Sequence, residues 1–140
     1  MLLINGEYAK QFLEHVSNSK NNIRGFIFHD SFFSKVTGSK IDQYILELSK
    51  AVKRGVNVEI LCNSAAQVEK FRRFNFKIKK AKYFKTMHSK AFLFDNKYLF
   101  VGSHNFTENA ITLNLEMSVI IEDVEDIEKF NKYFTNIWSL

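Results

Sequence analysis

The chain of 140 residues has no proline, one cysteine and no Gly/Ser-rich stretch. Without such punctuation or an internal repeat nothing marks a linker, and at roughly 100–200 residues per domain a single domain over residues 1–140 is expected. The lone Cys62 rules out an internal disulfide and leaves no second thiol for a zinc knuckle. Long hydrophobic runs are missing too. The longest stretch free of Asp, Glu, Lys and Arg runs from Tyr98 to Thr107, far short of the roughly 18 apolar residues a bilayer-crossing helix needs. The opening Met-Leu-Leu-Ile-Asn-Gly-Glu offers neither a basic leader nor a long apolar segment, so a cytoplasmic setting is expected.

What is present is ordinary in amount and uneven in placement. Hydrophobic residues make up 46% and charged residues 25%, enough apolar material for a core and too much for a disordered chain. The net charge is +5, but eight basic residues fall between positions 70 and 85 with no acid among them: Lys70, Arg72, Arg73, Lys77, Lys79, Lys80, Lys82 and Lys85. Outside that window 12 basic residues face 15 acidic ones, a net of −3. Phe71, Phe74, Phe76, Tyr83 and Phe84 are interleaved with the cations. Such a mixture suits a polynucleotide, with ammonium and guanidinium groups for phosphates and rings for unstacked bases. A solvated strand with core-facing aromatics is the alternative.

Periodicity divides the chain into alternating elements. Ala9, Phe12, Leu13 and Val16 predict a helix over 7–20, and the apolar run Ile23 to Phe28 a strand. Ser39 is placed to cap a helix striped by Ile41, Ile45, Leu48 and Val52 that stops at Gly55. Val56 to Leu61 predicts a strand, 64–74 a helix, and the alternation around Phe76 and Ile78 a short basic strand. His88 to Phe94 and Tyr98 to Ser103 read as a hairpin joined by Asp95-Asn96-Lys97, and Leu113 to Ile121 as a long strand. Val124, Ile127, Phe130, Phe134 and Ile137 mark a last amphipathic helix. The expected fold is α/β, a mixed β-sheet with helices on both faces. Ligands in such sheets gather beyond the carboxyl ends of strands, where His29-Asp30-Ser31 and Cys62-Asn63-Ser64 fall.

The chemistry concentrates in His88-Ser89-Lys90-Ala91-Phe92-Leu93-Phe94-Asp95, followed by Gly102-Ser103-His104-Asn105. Residues two apart on a strand share a side, so His88 and Lys90 can be presented together, and Ser103 and Asn105 can repeat the arrangement. An imidazole can attack phosphorus, an ammonium can neutralise nonbridging oxygens, and a hydroxyl and an amide can donate hydrogen bonds to them. Glu116 lies between apolar residues at alternate positions, Leu113, Leu115, Met117, Val119 and Ile121. An unpaired carboxylate on a buried strand is costly, so a cationic or N–H partner is expected; the Nδ1–H of His88 would satisfy it and leave Nε2 to attack. A solvated Glu116 on a wet sheet face is the alternative. Asp95 has the opposite strand parity to His88 and is assigned to the turn. His104 is expected at the rim, His15 on the surface of the first helix, His29 and Asp30 in a turn, and Cys62 as a small buried group. A metal site from His29, His88, His104 and Asp30 lacks a recognised ligand spacing, and no metal or other cofactor is expected.

His88, Lys90, Asp95, Gly102, Ser103 and Asn105 together resemble the H-x-K-x4-D and G-S-x-N pattern of the phospholipase D superfamily. The likeness extends to Arg54–Leu61 and to Asn114-x-Glu116, and in size and layout it is nearest the small bacterial phospholipase D-like endonucleases and the catalytic domains of metal-independent restriction endonucleases. The resemblance implies a phosphohistidine formed on His88, phosphate held by Lys90 and Asn105 with help from Ser103, Glu116 orienting His88, and Asp95 and Gly102 as structural members of the motif. In-line displacement puts nucleophile and leaving group on opposite sides of phosphorus, so one imidazole cannot both attack and protonate the departing oxygen. With one copy of the motif, a C2 homodimer sharing its active site is expected. The reading is a metal-independent endonuclease acting on DNA sooner than RNA, without a membrane partner. The alternatives are a phospholipid phosphodiesterase and a nucleic-acid-binding module with little or no cleavage.

Overall fold

Tyr8, Phe12 and Val16 recur at intervals of four and form the buried side of the first helix, α1 (Glu7–Asn18), in the computed structural model. The structure describes residues 1–32, 38–82 and 85–140, so Tyr83 and Phe84 of the basic stretch lie outside the described residues. The short strand β1 (Leu2–Ile4) precedes α1, and β2 (Asn22–Ile27) follows it. Helix α2 (Lys40–Lys53) starts at Ser39, where the Asp42 carboxylate accepts from the Gly38 and Ser39 amides. It ends before Gly55, whose φ of +95° is the left-handed conformation that glycine adopts without strain. Strand β3 (Asn57–Cys62), helix α3 (Ala65–Phe71), a 3₁₀ turn (Arg72–Phe74) and the basic strand β4 (Lys77–Lys80) come next. The hairpin β5 (Ala91–Phe94) and β6 (Tyr98–Gly102) turns through Asp95 and Asn96, both at positive φ, as a tight hairpin requires. Helix α4 (Glu108–Thr112), strand β7 (Met117–Ile121) and helix α5 (Val124–Trp138) complete the chain.

The seven strands form one mixed sheet in the order β1-β7-β6-β5-β2-β3-β4. Strands β2, β3 and β4 run parallel, and β5, β6, β7 and β1 continue antiparallel from β2. One face packs on α1, α2, α3 and α4 around Phe12, Tyr44, Phe71 and Phe92. The other is covered by α5 through Ile127, Phe134 and Ile137. Helices thus lie on both faces.

Register shows how far α5 reaches. Leu2, Val119, Val101, Ala91, Phe26, Leu61 and Lys79 pair in turn across all seven strands and so share one face. Phe26, Leu61 and Ala91 are buried, whereas Leu2, Val101 and Val119 are exposed. The β6-β7-β1 part of this face is therefore apolar and bare.

Two sequence expectations need correction. His88, Ser89 and Lys90 precede β5 and do not belong to it, because the pairing between β2 and β5 stops at Phe26 opposite Ala91. The strand expected over 113–121 is only Met117–Ile121, with α4 before it. Leu113 and Leu115 are 78% and 92% exposed, so the alternation that suggests a core face buries nothing in its first half. Both corrections have one cause: a strand ends where its neighbour stops supplying hydrogen bonds, which hydrophobic spacing does not encode.

Candidate active site

The loop before β5, the end of β6, the start of β7 and the end of β1 all lie at one end of the sheet, beside the carboxyl ends of β2 and β3. This end gathers the motif residues. His88 is exposed and Lys90 half-buried, with Lys90 Nζ 3.4 Å from His88 Nδ1 and donating to the His88 carbonyl at 3.0 Å. Phe28, just past β2, lies under both: its ring centroid is 4.4 Å from that of His88 and 4.9 Å from the Lys90 ammonium. A cation over an aromatic face is stabilised by the ring quadrupole, which fixes the ammonium while its remaining hydrogens stay available.

Ser103 and Glu116 form a second cluster. Ser103 Oγ donates to Glu116 Oε1 at 2.7 Å and accepts from the Met117 amide at 3.0 Å. Asn114 Nδ2 donates to Glu116 Oε2 at 3.3 Å. Among the described residues Glu116 engages Ser103 and Asn114, not His88, which corrects the expected contact to Nδ1. The Ser103 hydroxyl has its single hydrogen committed to that carboxylate, so the donors free to meet a phosphate are Lys90, the outer imidazole nitrogen and the Asn105 amide. Asn105 Oδ1 is buried with no hydrogen-bond partner among the described residues, and it borders a cavity of about 10 Å³ that Lys90 and Phe28 also line. Removal from water holds the Lys90 pKa below that of a free lysine, while the negative field of Glu116 acts in the opposite direction.

The structural members of the motif have clear tasks. The Asp95 carboxylate accepts from the amides of Lys20, Asn21 and Asn22 at 2.8–3.2 Å, tying the hairpin to the turn between α1 and β2. Gly102 has no room for a side chain, since a Cβ there would overlap Ser118 and the Met117 carbonyl. Strands β6 and β7 approach that closely just before Ser103.

Elsewhere the expectations divide. Asp30 accepts from the Phe32 amide, as a turn residue does, and pairs with Lys70 Nζ at 2.6 Å. Lys70 is therefore neutralised and leaves the set of free cations. Arg72 pairs with Glu69 at 3.3 Å, and Lys79 donates to the Trp138 carbonyl over the indole ring. Arg73, Lys77, Lys80, Lys82 and Lys85 are exposed and have no ion pair among the described residues. His104 is not at the rim. It is 5% exposed and stacked on Tyr8 at 4.3 Å. His15 is half-buried against Phe94, Tyr98 and Phe100. His29 is exposed on Phe28, and Cys62 is fully buried, its thiol pushed up to about 11 by burial.

Two positioning groups escape a reading of spacing alone. Phe28 is one. Asn63 is the other, whose Oδ1 accepts from the Met87 amide at 3.0 Å and so sets the approach to His88. The position of Asn63 after β3, at a carboxyl end, was the available signal. Among the described residues no three of His, Cys, Asp and Glu are grouped as metal ligands, and no helix is long and apolar enough to cross a membrane.

A groove of about 600 Å³ runs beside His88, Lys90 and Ser103 and continues onto the bare apolar face through Val101, Phe130 and Tyr133. An exposed imidazole beside an ammonium and a roomy cleft is the equipment of phosphoryl transfer.

Comparison with known proteins agrees. Residues 12–138 match the family described as "Cardiolipin synthase, PLD-like domain". The chain is 25% identical over 136 residues to a mitochondrial cardiolipin hydrolase of Chlamydomonas reinhardtii, covering 93% of this chain and 57% of that protein. It spans about half the length of the curated relatives it matches. Among solved structures, the phospholipase D family member Nuc from Salmonella typhimurium superposes with a TM-score of 0.80 at 22% identity, over 99% of this chain and 94% of that one. NucT from Helicobacter pylori superposes with a TM-score of 0.82 at 18% identity, over the same 99% and 94%. These two likenesses are of fold, and with the family match and the site geometry they lead to one conclusion. The chain belongs to the phospholipase D superfamily.

Proposed function

We propose that the protein is a metal-independent phosphodiesterase that cleaves nucleic acid, DNA sooner than RNA, through a covalent phosphohistidine at a site shared by two copies of the chain. The observation that carries this reading is the exposed His88 imidazole with Lys90 beside it, Asn105 lining a cavity with that same Lys90, and no carboxylate hydrogen-bonded to His88 among the described residues. His88 attacks phosphorus, a P–N bond forms and the bond to the leaving oxygen breaks. The protonated His88 of a second copy gives that oxygen its proton. Water then attacks phosphorus, loses a proton to the second imidazole and releases His88. Lys90 and Asn105 hold the nonbridging oxygens throughout, and Glu116, held by Ser103, keeps negative potential near the Lys90 ammonium.

Two features support the shared site and the nucleic-acid substrate. The bare β6-β7-β1 face begins at Val101 and Gly102, immediately beside the motif, so a second copy seated there would bring its own His88 close. Arg73 in the 3₁₀ turn, Lys77 and Lys80 on β4, and Lys82 and Lys85 in the segment leading to His88 form a cationic approach on one side of the site.

A phospholipid substrate is the second reading. It is favoured by the exposure of Leu113 and Leu115 near Glu116 and by the likeness to a cardiolipin hydrolase.

The deciding assay incubates the protein in EDTA with plasmid, single-stranded DNA, RNA and phosphatidylcholine vesicles in separate reactions, beside a His88→Ala control. Cleavage of nucleic acid alone, unaffected by chelation and lost in the variant, is expected. Hydrolysis confined to vesicles overturns the substrate, and binding without any cleavage overturns the activity.

A further inference from the structure

We propose that Asn5 and His104 are positioning residues, a latch that holds Glu116 in the active site from the far edge of the sheet; this rests on the reading above that Glu116 serves the reaction.

Glu116 needs such a latch. It lies in the segment before β7, outside the strand ladder, and its neighbours Leu113 and Leu115 are the two most exposed large hydrophobic residues among the described residues. Within its own loop Asn114 reaches its carboxylate at 3.3 Å, but among the described residues nothing in that loop holds its backbone. Asn5, at the end of β1, restrains both of its backbone groups: the Asn5 amide donates to the Glu116 carbonyl at 3.0 Å, and the Glu116 amide donates to Asn5 Oδ1 at 2.8 Å. Asn5 makes this double grip with a left-handed backbone, φ +49°, a conformation that asparagine tolerates better than most residues with a side chain.

Asn5 is in turn held by His104. The Asn5 carbonyl lies 2.9 Å from His104 Nε2, and His104 Nδ1 lies 2.7 Å from Ser118 Oγ. A carbonyl only accepts, which places the ring hydrogen on Nε2 and leaves Nδ1 to accept from the Ser118 hydroxyl. Burial favours this neutral imidazole. Ser118 stands where Gly102 leaves space for it. The motif's glycine, its variable residue and the β1 turn thus converge on the backbone of Glu116, whose carboxylate receives the Ser103 hydroxyl.

Packing alone does not account for a histidine at position 104. The stack on Tyr8 could be made by phenylalanine, whereas both ring nitrogens are engaged in hydrogen bonds that phenylalanine cannot make.

The test uses the full chain and bis(p-nitrophenyl) phosphate in EDTA, with melting temperature and circular dichroism recorded for each variant. Asn5→Gly keeps the left-handed backbone and deletes only the acceptor, and His104→Phe keeps the stack and deletes the donor. Each is expected to lower kcat about tenfold with KM nearly unchanged, and His104→Gln, which retains an N–H donor, to recover most of that loss. Asn5→Gly added to Glu116→Gln is expected to change kcat no further, because Asn5 acts through Glu116. Wild-type kcat in Asn5→Gly and His104→Phe while Glu116→Gln is impaired overturns the latch and spares the assignment of Glu116. A full Asn5→Gly loss multiplied onto Glu116→Gln overturns it likewise. Wild-type kcat in Glu116→Gln overturns the assignment of Glu116 and the latch with it. Should His104→Phe fail to fold, Asn5→Gly and its double variant carry the test.

Discussion

Lys90 must remain an ammonium to hold a phosphate, yet it is partly withdrawn from water, and the two requirements meet at Glu116. Desolvation lowers the Lys90 pKa and the Glu116 carboxylate raises it, so removing that charge lets the pKa fall further. Glu116→Gln is therefore expected to lower the Lys90 pKa, read directly from the NMR titration of its side-chain Cε. A Lys90 titration unchanged from wild type would show that Glu116 does not act on that ammonium. Gly102 makes a different residue-scale demand. Gly102→Ala forces a methyl group against Ser118 and the Met117 backbone, and overpacking of this kind costs about 1–3 kcal/mol. A lower urea midpoint with an unchanged m-value is the expected result. At this scale the sequence was most legible for His88, Lys90, Gly102 and Asn105, whose spacing along the chain places them at one sheet end. The partner of Glu116 was not legible, since Ser103 is 13 positions away, just past β6, and only the β6–β7 register brings them together. His104 misleads for a related reason: parity along a strand distinguishes two faces, and it does not say that one of them is closed by Tyr8 and Asn5.

Among the elements, the β5–β6 hairpin shows how an acidic motif residue can serve structure. The Asp95 carboxylate receives three amides from the turn between α1 and β2, satisfying donors that the start of β2 would otherwise leave to water. Hydrogen bonds to a charged group contribute roughly 1.5–3 kcal/mol. Asp95→Ala is expected to lose about that much stability in urea while the folded fraction keeps its kcat, the pattern of a residue remote from the reacting atoms. A hundredfold fall in kcat at full stability would place Asp95 in the chemistry instead. Helices α1, α2 and α5 and the hairpin were legible because each repeats its apolar spacing over several turns or pleats. Helix α4 was not. Its five residues are too few to show a period, and it is set by Thr107 capping Ala110 and by Ser31 accepting from the Glu108 amide. The basic stretch was legible as a cluster of charge, but the loss of Lys70 to Asp30 depends on α3 crossing the end of β2, which no local pattern records.

For the whole molecule the unanswered demand is the bare sheet face. Leu2, Ile4, Val101, Met117 and Val119 are apolar, exposed and on the same side, and α5 stops short of them. A stable pair of proteins buries about 800 Å² on each side. The proposed occupant is a second copy, because the face adjoins a site that has one nucleophile and needs a separate acid. Val101→Glu with Val119→Lys places opposite charges on paired strands, where they offset one another within a chain while making the face polar. The variant is expected to sediment as a monomer, keep its melting temperature, and lose at least a hundredfold in activity. A monomeric variant that retains wild-type turnover would show that each chain works alone. Mixing supplies the complementary measurement. In a purified heterodimer of wild-type and His88→Ala chains, the intact imidazole can attack, but the facing alanine gives the leaving oxygen no proton. General acid–base catalysis contributes about 10²–10⁴-fold, so the heterodimer is expected to fall near the His88→Ala homodimer. Independent sites would instead leave it at half the wild-type rate, and that value would refute the shared centre even if the dimer itself persists.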